Sequence, residues 1–136
     1  MKPNFEQYRA HIQQLVQAAL QAADPYQAMC RYLARSAATL QVGSHRFDLN
    51  DGRVFVVATG KAAVPMAHAA ADVLGEFLQQ GIAITKKGSD TAALVNLEQM
   101  AVYEAAHPVS DASSVEATTA ALELLEQTTA ADLVLF

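Results

Sequence analysis

An uncharged, β-branched run, Val54-Phe55-Val56-Val57-Ala58, stops at Thr59-Gly60 and gives way at once to Lys61-Ala62-Ala63 and an alanine-rich stretch. Apolar residues in unbroken succession describe a strand buried on both faces, and such strands belong to parallel sheets covered by helices. A second run, Gly81-Ile82-Ala83-Ile84-Thr85, ends at Lys86-Lys87-Gly88. Strand, helix over residues 61–79 and strand make one β-α-β unit, whose crossover is right-handed almost without exception. The turn after the first strand therefore opens at the sheet's carboxyl edge, where ligands of such folds collect.

On this reading Lys61 falls in the first turn of a helix. The positive end of the helix dipole and several unpaired backbone N–H groups lie there, so a cation costs roughly 0.3–1 kcal/mol unless something negative joins it. A bound anion supplies that partner; the alternative is a surface lysine at a frayed helix start. Gly60 permits the sharp turn and the close approach of a ligand. His107, held extended by Pro108, points from the same edge and either orients a substrate or bonds backbone at a turn. Lys86, at the end of the second strand, adds a second positive group or is a plain exposed strand end. Asp111 invites a magnesium-ligand reading, but an aspartate just before a helix is more often its cap.

Before the central unit, Tyr8, Ile12, Leu15, Val16, Ala19 and Leu20 recur at helical spacing behind Asn4 as N-cap, with Gln7 three residues on. Asp24-Pro25 starts a second helix, with Met29, Leu33, Ala37 and Leu40 as its buried stripe and Val42-Gly43 as its end. Two leading helices thus span about residues 5–41. Phe47 and Leu49 form a short strand that feeds the turn Asn50-Asp51-Gly52. After the central unit, residues 89–99 read as a loop with one helical turn, and 101–106 as a strand leading to His107. The next helix has a capping box of Ser113 with Glu116 and a stripe of Val115, Leu122 and Leu125. Asp132-Leu133-Val134-Leu135-Phe136 is a closing buried strand. A strand of this kind normally continues into a covering helix, so the expectation is a domain truncated in mid-fold.

The 136 residues suit one domain, and a hydrophobic content of 52% fills a core. Apolar runs fall well short of the roughly 20 residues needed to cross a bilayer, and the start has no secretory pattern, so cytoplasmic residence is expected. Cys30 is the single cysteine and reads as a small buried apolar residue rather than a disulfide or zinc ligand. A net charge of −5, with Lys86-Lys87 as the nearest thing to a basic cluster, argues against nucleic acid as a partner.

The strings Val57-Ala58-Thr59-Gly60-Lys61-Ala62-Ala63-Val64-Pro65-Met66-Ala67, then 81–86, then Glu104-Ala105-Ala106-His107-Pro108-Val109-Ser110-Asp111, resemble successive signatures of the amino-terminal domain of glycerate 2-kinases. This is the MOFRL-containing family, often labelled hydroxypyruvate reductases. The resemblance covers nearly the whole chain in order. Two departures are Ser110, where the family usually has a second proline, and Ala58-Thr59, where a small residue commonly precedes the Gly-Lys pair. It implies a three-layer, Rossmann-like α/β domain with a mostly parallel sheet, truncated relative to family members, whose closing strand runs into a Ser-Gly-Gly-Gly-Ser type phosphate loop. It also implies ATP-dependent phosphorylation of D-glycerate at its 2-hydroxyl, with Mg²⁺. Lys61 is then the catalytic anion ligand, and Gly60, Lys86 and His107 join it in binding substrate.

Two other functions compete. A nicotinamide-dependent hydroxypyruvate reductase would need a G-x-G-x-x-G fingerprint, and only Gly60 stands at that place. A sugar-phosphate-binding module of the sugar isomerase type would offer a hydroxyl beside its glycine-cation pair, where this chain has Ala62-Ala63. Residues 1–136 alone are expected to turn nothing over, and apolar surface near the closing strand favours a homo-oligomer.

Overall fold

A computed structural model describes residues 5–136, with side chains from residue 8 onward. The elements in order are α1 (Phe5–Ala22), α2 (Pro25–Tyr32), β1 (Leu33–Ser36), β2 (Thr39–Val42), β3 (His45–Asp48), β4 (Val54–Thr59), α3 (Ala63–Leu74), β5 (Leu78–Lys86), α4 (Ala92–Val95), β6 (Met100–Ala105), α5 (Ala112–Glu126) and β7 (Leu133–Leu135). A short 3-10 turn, Gly75–Phe77, joins α3 to β5. The expected Asn4 cap lies outside the described residues, as does the Gln7 side chain. No helix among the described residues is long and apolar enough to cross a membrane.

Four strands form one parallel sheet in the order β6-β5-β4-β7. Successive residues of β4 point to opposite faces, and the two faces have different covers. Val54 and Val56 join a core built with α3, α4 and the small sheet β1-β2-β3, through Val64, Ala67, Leu74 and Leu94. Phe55 and Val57 pack on the other side with Ile82 and with Ala121 and Leu124 of α5. The result is the expected three-layer α/β architecture, with β4 central. From β4 the chain runs outward through β5 to β6, then crosses on α5 to place β7 on the far side of β4, which puts the topological switch between β4 and β7.

The second leading helix is shorter than the sequence suggests. It ends at Tyr32, and the chain then makes an antiparallel meander, with Leu33 opposite Val42 and Leu40 opposite Phe47. Leu33 and Leu40, expected on a helical stripe, are both fully buried in the α3-side core, but as strand residues. Arg35 secures the meander: its Nε donates to the Val73 carbonyl at 2.7 Å, and its guanidinium faces Glu76 at 3.4 Å and lies over the Phe77 ring. Tyr26 ties α2 to α3 by donating to Asp72 at 2.7 Å, which pushes its phenol up to about 12.

Four smaller expectations also change. The helix after β4 stops at Leu74 rather than near 79, and β5 begins at Leu78, so Gly81 lies inside a strand. A Cβ there would press on the Met100 thioether and the Val56 carbonyl, which is why that crowded position takes glycine. On α5 the buried positions are Ala117, Ala121 and Leu124, whereas Val115 and Leu122 are 66% and 55% exposed. The α5 cap is Asp111 with Ser114 rather than Ser113 with Glu116. Finally, β7 is an edge strand and only half-buried.

The start of β4 is stapled to β7. The Arg53 fork meets both oxygens of Asp132, at 3.1 Å through Nε and 2.7 Å through Nη2, and Asp132 also accepts from the Arg53 and Thr129 backbone N–H groups. This carboxylate is almost wholly enclosed. Gly52 lies against the same segment, and a Cβ there would run into the Ala131 carbonyl.

Candidate functional site

Gly60, Lys61, Lys86 and His107 sit just beyond or at the carboxyl ends of β4, β5 and β6, three adjacent parallel strands. Parallel register delivers all three ends to one edge, and the four residues line a single depression of about 190 Å³ together with Ile84, Thr85, Ala105 and Ala106. Every residue singled out as substrate-binding in the sequence is thus brought together.

The β4 turn is fixed by its backbone. The Gly60 N–H donates to the Ile84 carbonyl at 2.9 Å, and its φ of +105° lies where side chains are strained. A Cβ at Gly60 would meet nothing within 4 Å, so conformation rather than crowding requires glycine. Lys61 is not in the first helical turn: α3 begins at Ala63, with Ala62 as an N-cap that offers no side-chain hydrogen bond. It stands one residue before the cap, and Pro65 removes one of the N–H donors expected beneath an anion. The dipole argument for Lys61 is weakened accordingly, and its case rests on what surrounds it.

Two lysines and an imidazole rim the depression. Among the described residues, no carboxylate lies within ion-pair distance of Lys61, Lys86 or His107. Lys87 shows the contrast: its Nζ pairs with Asp111 Oδ2 at 2.9 Å. Asp111 is the N-cap of α5, accepting from the Ser113 N–H at 2.8 Å and from the Ser113 hydroxyl. That hydroxyl first and Lys87 second hold its carboxyl down at about 2. A carboxylate so committed is a cap, and the magnesium reading of Asp111 is dropped. Among the described residues no group of three or more His, Cys, Asp or Glu side chains is placed to hold a metal.

The loops bearing Lys86 and His107 are held by Thr85, Ser89 and Glu104, to which the sequence assigned no role, and by the Lys87–Asp111 pair. Ser89 gives its hydroxyl hydrogen to the Lys86 carbonyl at 2.8 Å, so the buried Thr85 hydroxyl, 2.9 Å from Ser89 Oγ, must be the donor of that pair. Glu104 accepts from the Gly88 N–H at 2.7 Å, and the Lys87 N–H donates to the Ala105 carbonyl at 3.0 Å. With Lys87–Asp111, these bonds clamp the β5 and β6 loops into one rigid rim. The one visible signal was Thr85, a hydroxyl closing an otherwise apolar run.

A family model described as "Domain of unknown function (DUF4147)" matches residues 11–136. A D-glycerate 2-kinase from Thermotoga maritima is 43% identical over 88 residues, 65% of this chain and 20% of that protein. A glycerate 2-kinase from Pyrococcus horikoshii is 36% identical over 120 residues, 88% of this chain and 26% of that protein. The crystal structure of a P. horikoshii OT3 protein matches 98% of this chain and 28% of its own, with a TM-score of 0.76 and 32% identity. That of a glycerate kinase from T. maritima matches 96% of this chain and 28% of its own, with a TM-score of 0.71 and 32% identity. The chain therefore spans only 20–26% of the length of these curated relatives.

Proposed function

We propose that this chain, which belongs to the family described as "Domain of unknown function (DUF4147)", carries part of the substrate site of a D-glycerate 2-kinase. The parent enzyme transfers the terminal phosphoryl group of ATP to the 2-hydroxyl of D-glycerate and releases 2-phosphoglycerate. The observation that carries this reading is the convergence of Lys61, Lys86 and His107 on one small depression where, among the described residues, no carboxylate lies within ion-pair distance of them. Relatives of this chain bear the name glycerate 2-kinase, which supplies the anion to consider.

A depression of about 190 Å³ is smaller than ordinary drug-sized ligand sites and suits a three-carbon acid. Lys61 and Lys86 ammonium groups grip the glycerate carboxylate or the phosphoryl group in transit, where fixed positive charge offsets negative charge without reorganisation. Gly60 leaves open space above the turn for the ligand, and the His107 ring hydrogen-bonds the substrate and fixes its orientation. The same small volume does not fit ATP, and Asp111 is already committed to its cap and to Lys87. In this proposal the nucleotide and Mg²⁺ bind to polypeptide outside residues 5–136.

The test grafts residues 1–136 in place of the matching segment of the P. horikoshii glycerate 2-kinase and follows phosphate transfer by phosphorus NMR. ATP-dependent formation of 2-phosphoglycerate, abolished by Lys61→Met, is the expected result. A folded graft that makes no phosphoglycerate yet oxidises NADH with hydroxypyruvate would overturn the kinase reading in favour of a reductase.

A further inference from the structure

Thr85 is 2% exposed and is the one polar residue, among the described residues, that is buried as a whole. It follows Ile82-Ala83-Ile84 in β5, where valine would fill the same space, suit a strand equally well and bring no hydroxyl to desolvate. What distinguishes threonine there is its bond. The hydroxyl hydrogen goes to Ser89 Oγ at 2.9 Å, because Ser89 gives its own to the Lys86 carbonyl at 2.8 Å. The Ser89 N–H reaches the same carbonyl at 3.2 Å. Both donors of Ser89 thus close the turn that ends β5, and the buried threonine holds Ser89 in place.

That turn decides which of two adjacent lysines meets the depression. Successive residues of an extended chain face opposite ways, so Lys86 and Lys87 point apart. Lys86 lines the depression, whereas Lys87 does not, and the Lys87 Nζ lies 2.9 Å from Asp111 Oδ2. The pairing of β5 with β6 runs as far as Lys86 opposite Ala105, and the Lys87 N–H donates to the Ala105 carbonyl at 3.0 Å. Gly88 then turns the chain with a φ of +76°, and its N–H donates to Glu104 at 2.7 Å. A shift of one residue in where strand gives way to turn would exchange the two lysines. The bonds from Thr85 to Ser89 and from Ser89 to Lys86 span that very point.

We propose, on the reading that the depression binds a small carboxylate, that Thr85 and Ser89 are its positioning residues: their hydroxyls, bonded in series to the Lys86 carbonyl, fix the end of β5 so that Lys86 rather than Lys87 is presented to the ligand. Each acts through Lys86, and neither touches the ligand. Because the two hydroxyls serve one turn, the effects of removing them are not additive.

Titrating D-glycerate into the nitrogen-15-labelled chain and its variants tests this, with circular dichroism to show that each is folded. Thr85→Val keeps the shape and loses the hydroxyl, whereas Thr85→Ser keeps the hydroxyl and loses a methyl. Thr85→Val and Ser89→Ala should each weaken binding about fivefold to tenfold, roughly the worth of one hydrogen bond. The double variant should bind no more weakly than either, and Thr85→Ser should bind as the wild type does. In the ligand-free chain, amide exchange at Lys87, Gly88 and Ser89 should quicken in Thr85→Val and Ser89→Ala but not in Thr85→Ser. The reverse order, with Thr85→Ser weakened and Thr85→Val intact, overturns the proposal, because that is what a purely packing role gives. So does wild-type affinity in both Thr85→Val and Ser89→Ala, a result that leaves the carboxylate reading of the depression standing. No binding by the wild type overturns that reading itself, and the positioning role with it.

Discussion

Lys87 and Lys61 differ by one neighbour. An aspartate 2.9 Å from the first absorbs its charge, whereas the second faces open space shared with Lys86 and His107. Asp132 is the other residue whose charge the fold has settled: Arg53 above all, then the Arg53 and Thr129 N–H groups, hold its carboxyl well below the usual carboxylate range. Because this pKa is depressed by folding, the stabilisation is complete above the unfolded carboxylate value of about 3.9 and drains away as pH falls below it. Asp132→Asn keeps the shape and removes the charge. Thermal melts should therefore show the variant several degrees less stable at pH 7, with the gap closing steadily from pH 4 downward. A gap that stays constant to pH 2 would mean that the charge is not what matters at this position.

The meander is the element that the sequence concealed. Leu33, Ala37 and Leu40 recur at three- and four-residue steps, and Leu33 and Leu40 also fall on inward faces of two antiparallel strands. Periodicity alone could not separate those cases, and the β1–β2 turn bears none of the Asn or Gly that normally mark one. Ala37 occupies it with φ at +51°, a conformation that glycine adopts without strain. Ala37→Gly is thus expected to stabilise the protein by roughly 0.5 kcal/mol in urea unfolding, against the usual sign for an alanine-to-glycine change. Leu40→Ala should cost about 2–5 kcal/mol, because Leu40 is fully buried between the meander and α3. A loss below about 0.5 kcal/mol would place the meander outside the core. By contrast, β4 and the second half of β5 were legible because unbroken apolar runs between turn signals have few other uses. The clamp of Thr85, Ser89, Glu104 and Lys87–Asp111 was not, because its Gly88–Glu104 and Lys87–Asp111 bonds join residues that only tertiary structure brings together.

At the scale of the whole molecule, a parallel sheet gathers three strand ends into one rim, and that is how residues spread from 60 to 107 come to share a depression. The residue types there were readable, and so was the edge on which they lie. What the sequence left unsettled was the strand order, since the crossing of α5 from β6 to the far side of β4 depends on packing over two faces. The proposed role of this rim is to hold a small carboxylate. Titrating D-glycerate into the nitrogen-15-labelled chain, at low salt so that screening is weak, tests it most directly. Saturable shifts of the Gly60, Lys61, Lys86 and His107 amides are expected, with affinity weakened at least tenfold in the folded Lys61→Met variant. Unmoved resonances at all four residues, or equal affinity with and without the Lys61 ammonium, would contradict it.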